Sequence, residues 1–524
     1  VNTGALRLPC DEGVIRARPA EAAPAPGRGA WVLAATILGS AMAFVDGTVV
    51  NVALPALQRA LGADVADAQW VVEAYALTLA ALLLAGGSLG DRHGRRRVFG
   101  LGVALFAAAS AGCGLAPDVR WLIGMRAVQG VGGALLVPGS LALISASFPP
   151  ERRGRAIGTW SGVSAIAAGF GPVLGGWLIE NASWRWIFFV NVVPAAAVLL
   201  ILTRVPESRD PDAGRLDLPG AALATAGLGG IVLALIEAGR LGWGHPLIRG
   251  SVAMGALGLA AFVAVERRAR SPMVPLGLFR SRTFAGANLL TLLLYAALGG
   301  ALFFLPFNLV QVQGYGAAAA GAALLPFIVL MFVLSRWSGG LVDRYGARRP
   351  LTVGPLIAAA GFALLAVPGV GGSYGTTWLP AVVVLGLGMA ISVAPLTTAV
   401  MGAVEDRHAG VASGINNAVS RTAGLVAVAA FGLVALGAFG RSLDGRTRAM
   451  RVPADVAAAM AAQRIRLADA EPPAGLSAAA RTALERAVDL AFVDAFRRVM
   501  LLAAFLAVLS ALAGWMMIRD RGKE

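Results

Sequence analysis

The chain has 524 residues, 57% of them hydrophobic and only 14% charged, with a mean hydropathy of +0.73. That composition is too apolar for an ordinary soluble globule and places the chain in a bilayer. The formal net charge of +15 invites a nucleic-acid reading, but the arginines are spread from loop to loop rather than gathered on one soluble domain, so no nucleic-acid partner is expected.

Residues 1–29 are rich in Ala, Pro and Arg with no apolar run before Trp31, and are expected to form a disordered cytoplasmic tail rather than a cleaved signal. A membrane span needs about 20 mostly apolar residues. Fourteen such runs are predicted, all helical, at 31–54, 70–89, 98–116, 121–144, 156–179, 186–203, 218–238, 247–265, 284–308, 319–341, 351–368, 377–400, 410–436 and 499–518. Arginine clusters such as Arg92 to Arg97, Arg152 to Arg155 and Arg344 to Arg349 follow even-numbered runs, whereas loops after odd-numbered runs carry little more than Arg59, Arg185 or Arg240. The positive-inside bias therefore predicts a multi-pass protein of the bacterial cytoplasmic membrane with both termini, including 519–524, in the cytoplasm.

The first run contains Asp46. An ionisable group at a helix centre costs about 2.5 to 3.5 kcal/mol on insertion scales, so it is a functional candidate by default. Two readings stay open: a carrier that takes up and releases a proton, or an Asp held ionised by a structural partner. The second run offers Glu73 beside Trp70 and Tyr75, where an acid and aromatic rings would suit a cationic amphiphile if they face a cavity. An interfacial, solvated Glu is the alternative. After that run comes Gly87-Ser88-Leu89-Gly90-Asp91-Arg92-His93-Gly94-Arg95-Arg96-Arg97, a basic hairpin.

Arg126 in the fourth run is permanently charged and must face the bundle interior, where it can hold an anion or tune a carboxyl. The fifth run carries Gly171, Pro172, Gly175 and Gly176; small residues allow close helix packing and Pro172 removes a helical hydrogen bond. Glu237 ends the seventh run and is assigned a structural role. In the ninth run Asn308 and Gln311, and in the thirteenth Asn416, Asn417 and Arg421, either line a cavity or bond across helices.

The hairpin recurs as Gly339-Gly340-Leu341-Val342-Asp343-Arg344-Tyr345-Gly346-Ala347-Arg348-Arg349, with Asp343 lying 252 residues (343 minus 91) after Asp91. Six spans with short loops fill only about 180 to 200 residues. The surplus accommodates two extra spans, so the predicted organisation is a six-helix half at 30–203, an inserted pair at 204–266, a cytoplasmic linker at 267–283 and a second half at 284–518. Glu151-Arg152-Arg153 before Ala156-Ile157-Gly158 is echoed by Glu405-Asp406-Arg407 before Ala412-Ser413-Gly414. An internally duplicated bundle is the mark of a transporter.

The long polar stretch 437–497 is expected outside the cell. Leu484, Val488, Phe492 and Phe496 recur every four residues, predicting an amphipathic helix after a turn at Pro472-Pro473-Ala474-Gly475 that folds onto the bundle as a lid.

Enzymatic chemistry finds little support. Gly86 to Gly90 formally matches a nucleophile elbow, but inside a membrane helix with no preceding strand. His93, His245 and His408 are scattered, so no metal site is expected; Cys10 and Cys113 imply no disulfide framework. With Lys523 as the sole lysine no phosphate-binding Walker loop exists, and no cofactor is implied.

On these residues the chain resembles the major facilitator superfamily, and within it the fourteen-span drug:proton antiporters of the EmrB/QacA type. Asp46 to Pro55 is similar to that branch's first-helix motif, Gly87 to Arg97 to the superfamily's loop motif, Arg126 to Gly133 to the proton-coupling motif and Gly171 to Gly176 to the antiporter motif. Trp184 to Asn191, Gln311 with Gly314, and Ser413-Gly414 with Asn416 and Arg421 are also similar to family strings. Ala167 and Gly90 depart from the usual Gly and Ala, both conservatively. The resemblance implies a major facilitator fold, proton coupling through Asp46 and Arg126, and a conformational latch of Gly87, Asp91, Arg92, Gly94 and Arg96 with Asp343 and Arg344 in the second copy. It implies protons and a small amphiphilic organic compound as partners, with lipid around a protein that works as a monomer. The alternatives are a dedicated exporter of one self-made metabolite, an uptake symporter, and a non-transporting membrane sensor or scaffold.

Overall fold

The computed structural model describes residues 28–209, 218–269, 272, 274–405 and 409–519. Residues 1–27 of the tail expected at 1–29, residues 520–524 of that expected at 519–524, and Asp406 and Arg407 of the loop echo lie outside the described residues. Among the described residues there is no strand; the chain is a helical bundle.

The first half contains α1 (Arg28–Leu61), α2 (Val65–His93), α3 (Arg95–Gly114), α4 (Val119–Ser147), α5 (Pro150–Asn181), the short α6 (Trp186–Phe189) and α7 (Val192–Leu202). Then come α8 (Leu218–Leu241) and α9 (Pro246–Arg268). The remainder comprises α10 (Arg282–Phe307), α11 (Ala317–Ala322), α12 (Leu325–Gly339), α13 (Leu341–Tyr345), α14 (Pro350–Leu365), α15 (Tyr374–Thr377), α16 (Leu379–Gly402), α17 (Ala409–Ala449), α18 (Ala454–Ala462) and α19 (Ala478–Met517). Among the described residues eleven helices are long and apolar enough to cross a membrane, and α2, bent by 51° between Leu83 and Ala85, makes a twelfth if taken as one span. Trp186–Leu202 and Pro350–Leu365 are shorter apolar helices.

Helix starts follow local chemistry. Asp64 caps α2 in a reciprocal box with Asp67, Asp118 accepts from the Trp121 N–H at the start of α4, and Ser281 and Ser477 cap α10 and α19. Both hairpin copies turn on a glycine at positive φ, Gly94 at +112° and Gly346 at +74°, a region that disfavours any side chain. This is why the duplicated word keeps that glycine.

Within the first half α2 packs on α4, α3 on α4 and α1 on α5; in the second, α14 packs on α16 and α10 on α17 and α19. Helices α8 and α9 pack on each other, and α8 also touches α2 and α17. The halves meet at the end opposite the hairpins. There the Gln311 amide donates to Gln58 Oε1 (3.1 Å), Gln69 Nε2 donates to the Val428 carbonyl (2.5 Å), and the Ala318 N–H donates to Glu180 Oε1 (3.0 Å). A Cβ on Gly176 would collide with the backbone of Ala317 and Ala318, so the small residues of α5 form a contact between halves.

The polar stretch after residue 437 is largely helical. Helix α17 continues to Ala449, and α19 begins at Ala478, far ahead of its membrane part. Leu484, Val488, Phe492 and Phe496 form its buried face, as their spacing predicts. Asp494 fastens the two extensions, accepting from Ser442 Oγ (2.7 Å) and Arg446 Nη2 (2.8 Å).

Candidate functional site

Four elements of the first half converge on Asp46, which is 0% exposed. Helix α4 presents Arg126 and, one turn later, Gln129, so both side chains lie on one face. Arg126 Nη1 donates to Asp46 Oδ2 at 2.5 Å and to Gln129 Oε1 at 2.8 Å, while Gln129 Nε2 returns a bond to Asp46 Oδ1 at 2.8 Å. Between α6 and α7 the helix breaks at Asn191, whose Nδ2 reaches Asp46 Oδ1 (3.3 Å) and Ser110 Oγ of α3 (3.0 Å). Arg126 Nε donates to the Val71 carbonyl on α2 (2.9 Å), and its guanidinium lies 4.3 Å from the Tyr75 ring centroid.

The pair is thus fully desolvated and also densely hydrogen-bonded, the condition under which a buried ion pair persists. Removing either charge leaves the other in a low-dielectric interior without compensation. The Asp46 carboxylate thereby ties α1 to α4 and to the start of α7. Asp46 and Arg126 were separate candidates in the sequence. Gln129, Asn191, Ser110 and the Val71 carbonyl complete the site, and of these only Gln129 and Asn191 lie within family strings.

The other candidates are dispersed. Tyr75 belongs to the Asp46 site as the ring beneath Arg126, and its hydroxyl donates to the Ala43 carbonyl (3.5 Å). Trp70 turns away and donates to Glu237 Oε1 of α8 (2.8 Å), where Arg240 also contacts Glu237, Asp64 and Asp67. Glu73 is buried, and among the described residues its Oε2 has no hydrogen-bond partner. In the second half Asn308 Oδ1 accepts from Gln313 (3.0 Å), and Gln311 spans the halves to Gln58. Asn416 ties α17 to α10 through Asn288 (3.2 Å) and Thr291 (2.6 Å), whereas Asn417 is exposed.

Of the antiporter residues, Gly171 faces Thr48, Gly175 faces Val49, and Pro172 lies against Gly321 of α11. Thr48 Oγ1 also donates to the Ala168 carbonyl, locking α1 to α5 beside Asp46 (3.0 Å).

At the first hairpin Asp91 pairs with Arg95 (2.7 Å). Arg96 Nη1 donates to the Val205 carbonyl (3.0 Å), and the backbone N–H groups of Arg96 and Arg97 donate to the Glu207 carboxylate (2.9 and 3.2 Å). Arg92 is exposed, and a Cβ on Gly94 would strike the Glu207 carboxylate. Glu207 therefore caps the positive end of α3, a role that nothing in its polar loop announces. Gly87 meets Pro138 of α4. In the second copy Arg344 lies over the Tyr345 ring at 5.4 Å and Asp343 is exposed.

Residues 36–428 match the Major Facilitator Superfamily. The chain is 37% identical over 409 residues to the Multidrug resistance protein Stp of Mycobacterium tuberculosis, covering 77% of this chain and 75% of that protein. It is 36% identical over 409 residues to the Tetracenomycin C resistance and export protein of Streptomyces glaucescens, with the same coverage of 77% and 75%. Its fold is similar to that of a bacterial homolog of the human lysosomal transporter Spinster, at a TM-score of 0.66 and 18% identity over 95% of this chain and 100% of that one.

Proposed function

Because the chain belongs to the Major Facilitator Superfamily, we propose that it exports drugs or other small organic compounds in exchange for protons, by alternating access of two helical halves. The relatives' names support the substrate class, one for multidrug resistance and one for resistance and export of tetracenomycin C. The single observation that carries the mechanism is the buried Asp46–Arg126 pair with its Gln129 and Asn191 bonds. A sensor or scaffold would bear the cost of two desolvated charges for no use.

In this reading the chain is of the fourteen-span type. The eleven long apolar helices, the bent α2, and the shorter Trp186–Leu202 and Pro350–Leu365 fill the fourteen apolar runs, the short ones through local bilayer thinning. The two halves are 30–203 and 284–518, with 204–266 inserted and 267–283 linking. With the basic hairpins in the cytoplasm, the contacts at Gln58, Gln69 and Glu180 close the outer side, and the conformation is inward-facing. Asp46 takes a proton when its shell opens outward and gives it up when the shell opens inward, while substrate competes with the proton. Gly87, Asp91, Arg92, Gly94 and Arg96, with Asp343 and Arg344, brace the cytoplasmic ends between states.

A proton descending about 100 mV and about one pH unit releases roughly 3.7 kcal/mol, enough to hold an about 500-fold gradient of a neutral solute. The test is reconstitution into proteoliposomes with an imposed pH gradient. Wild type should move a resistance substrate against the proton flow, and Asp46→Asn should lose gradient-driven movement while eluting as a folded protein. Gradient-driven movement retained in Asp46→Asn would refute the assignment. Resistance profiling separates the second reading, export of one self-made compound: protection against a single chemical type supports it.

A further inference from the structure

Arg421 on α17 is the one strong charge at the centre of the second half that the proton site does not absorb. Helix α17 packs against α2, so Arg421 lies on an element that joins the two halves. Among the described residues it makes no ion pair or hydrogen bond. An unpaired guanidinium within the bilayer must meet water or a ligand. Arg421 is partly exposed, and it shares one helix face with Asn417, which is exposed, and Gly414, where a Cβ would meet nothing within 4 Å. Across the boundary Tyr75 bonds to Ala43 of α1; one turn further along α1, Gly47 is exposed and likewise has nothing within 4 Å of a Cβ. Gly47 and Gly414 thus each face open space, on helices that both pack against α2.

No acid offsets the Arg421 charge among the groups described around it. Asp46 is neutralised by Arg126, and the Tyr75 ring lies over that guanidinium. Glu73 is buried away from solvent. Asn417, one turn from Arg421, contributes a neutral amide. A lone guanidinium in a low-dielectric cleft repels a cation and offers a planar fork that matches a carboxylate with two parallel hydrogen bonds.

We propose that Arg421 is the anion-recognition residue of the central cavity, and that the preferred substrates are organic acids carrying a carboxylate or phenolate on an aromatic or apolar frame. This rests on the exporter reading and names its substrate class. It also changes the energetics: exchanging a monoanion for one proton moves two charges down the membrane potential. The same force then holds about a 20,000-fold gradient rather than about 500-fold.

The experiment measures binding to the purified full chain by thermal stabilisation, using compounds matched in shape and differing in charge. The probes are 1-naphthoate, 1-naphthamide and 1-naphthylmethylammonium, together with the corresponding acid, amide and amine of anthraquinone. Wild type should bind each acid at least 10-fold tighter than its amide, and the amine most weakly. Arg421→Gln should collapse that order to within about 3-fold, and Arg421→Lys should restore part of it. A merely structural role would lower the melting midpoint without changing the charge order. An order favouring the amines, an order independent of charge, one that survives Arg421→Gln, or no binding by any acid would overturn the proposal. The proton-driven movement tested with Asp46→Asn does not depend on this order, so the exporter reading stands or falls separately.

Discussion

The two copies of the hairpin share a sequence and differ in how they are held. In the first, Asp91 is paired with Arg95 and the Glu207 carboxylate seals the start of α3. In the second, Asp343 is exposed and Arg344 lies on its neighbour's ring. The cores behind them differ too: the charged Asp46 and Arg126 are buried in the first, whereas a polar cluster of the second, Asn416 with Asn288 and Thr291, is neutral. The buried ion pair and the more tightly braced hairpin both lie in the first half of the chain. The other half carries the neutral Asn416 cluster and, within the apolar part of α17, Arg421.

Substitutions can break this asymmetry, most severely at the charged core. Arg126→Leu leaves a buried carboxylate unpaired and should destabilise the protein by about 3–5 kcal/mol, read as a fall in the melting midpoint in detergent. Adding Asp46→Asn should recover a large part of that loss, because the orphaned charge is then gone. Independent, additive effects would mean that the pair is not coupled.

At the hairpins the effect is smaller. Glu207→Gln removes a charge-assisted cap and should cost about 1–2 kcal/mol, raising cysteine-labelling rates near Arg96. Asp343→Asn should leave stability unchanged. Equal responses from both would erase the contrast.

The smallest effect concerns the end opposite the hairpins. Burial raises the Asp64 carboxyl above the ordinary carboxylate value, against the lowering influence of the Asp67 backbone N–H and of Arg240. An acid whose folded value exceeds its unfolded one, about 3.9, binds protons more tightly when folded. Its contribution is most favourable below about pH 3.9 and is lost as pH rises through the window up to the folded value. Asp64→Asn, which keeps the cap oxygen, should flatten that part of the stability profile. An unchanged slope would assign it to another group.

Much of this was legible in the chain itself. The apolar runs forecast the helices, the duplicated word forecast two hairpins, and Leu484 to Phe496 forecast a buried face. Asp46 and Arg126 were conspicuous because charge is expensive in a membrane. Their pairing was not legible, since 80 residues separate them and only the packing of α1 against α4 joins them. Ser110 and the Val71 carbonyl were silent because a hydroxyl and a backbone oxygen carry no signal until a partner is in place. Glu207 lay in a polar loop among other acids and arginines. The continuation of α17 to Ala449 was hidden by Arg441, Arg446 and Arg448, which suggest a loop until Asp494 is seen to receive one of them.

The central claim is that Asp46 exchanges a proton for substrate. Its most direct test is to add a transported substrate to purified protein in weakly buffered detergent solution and record the pH. Wild type should release protons on substrate addition and Asp46→Asn should release none while still binding substrate. Equal release from both proteins would contradict the account.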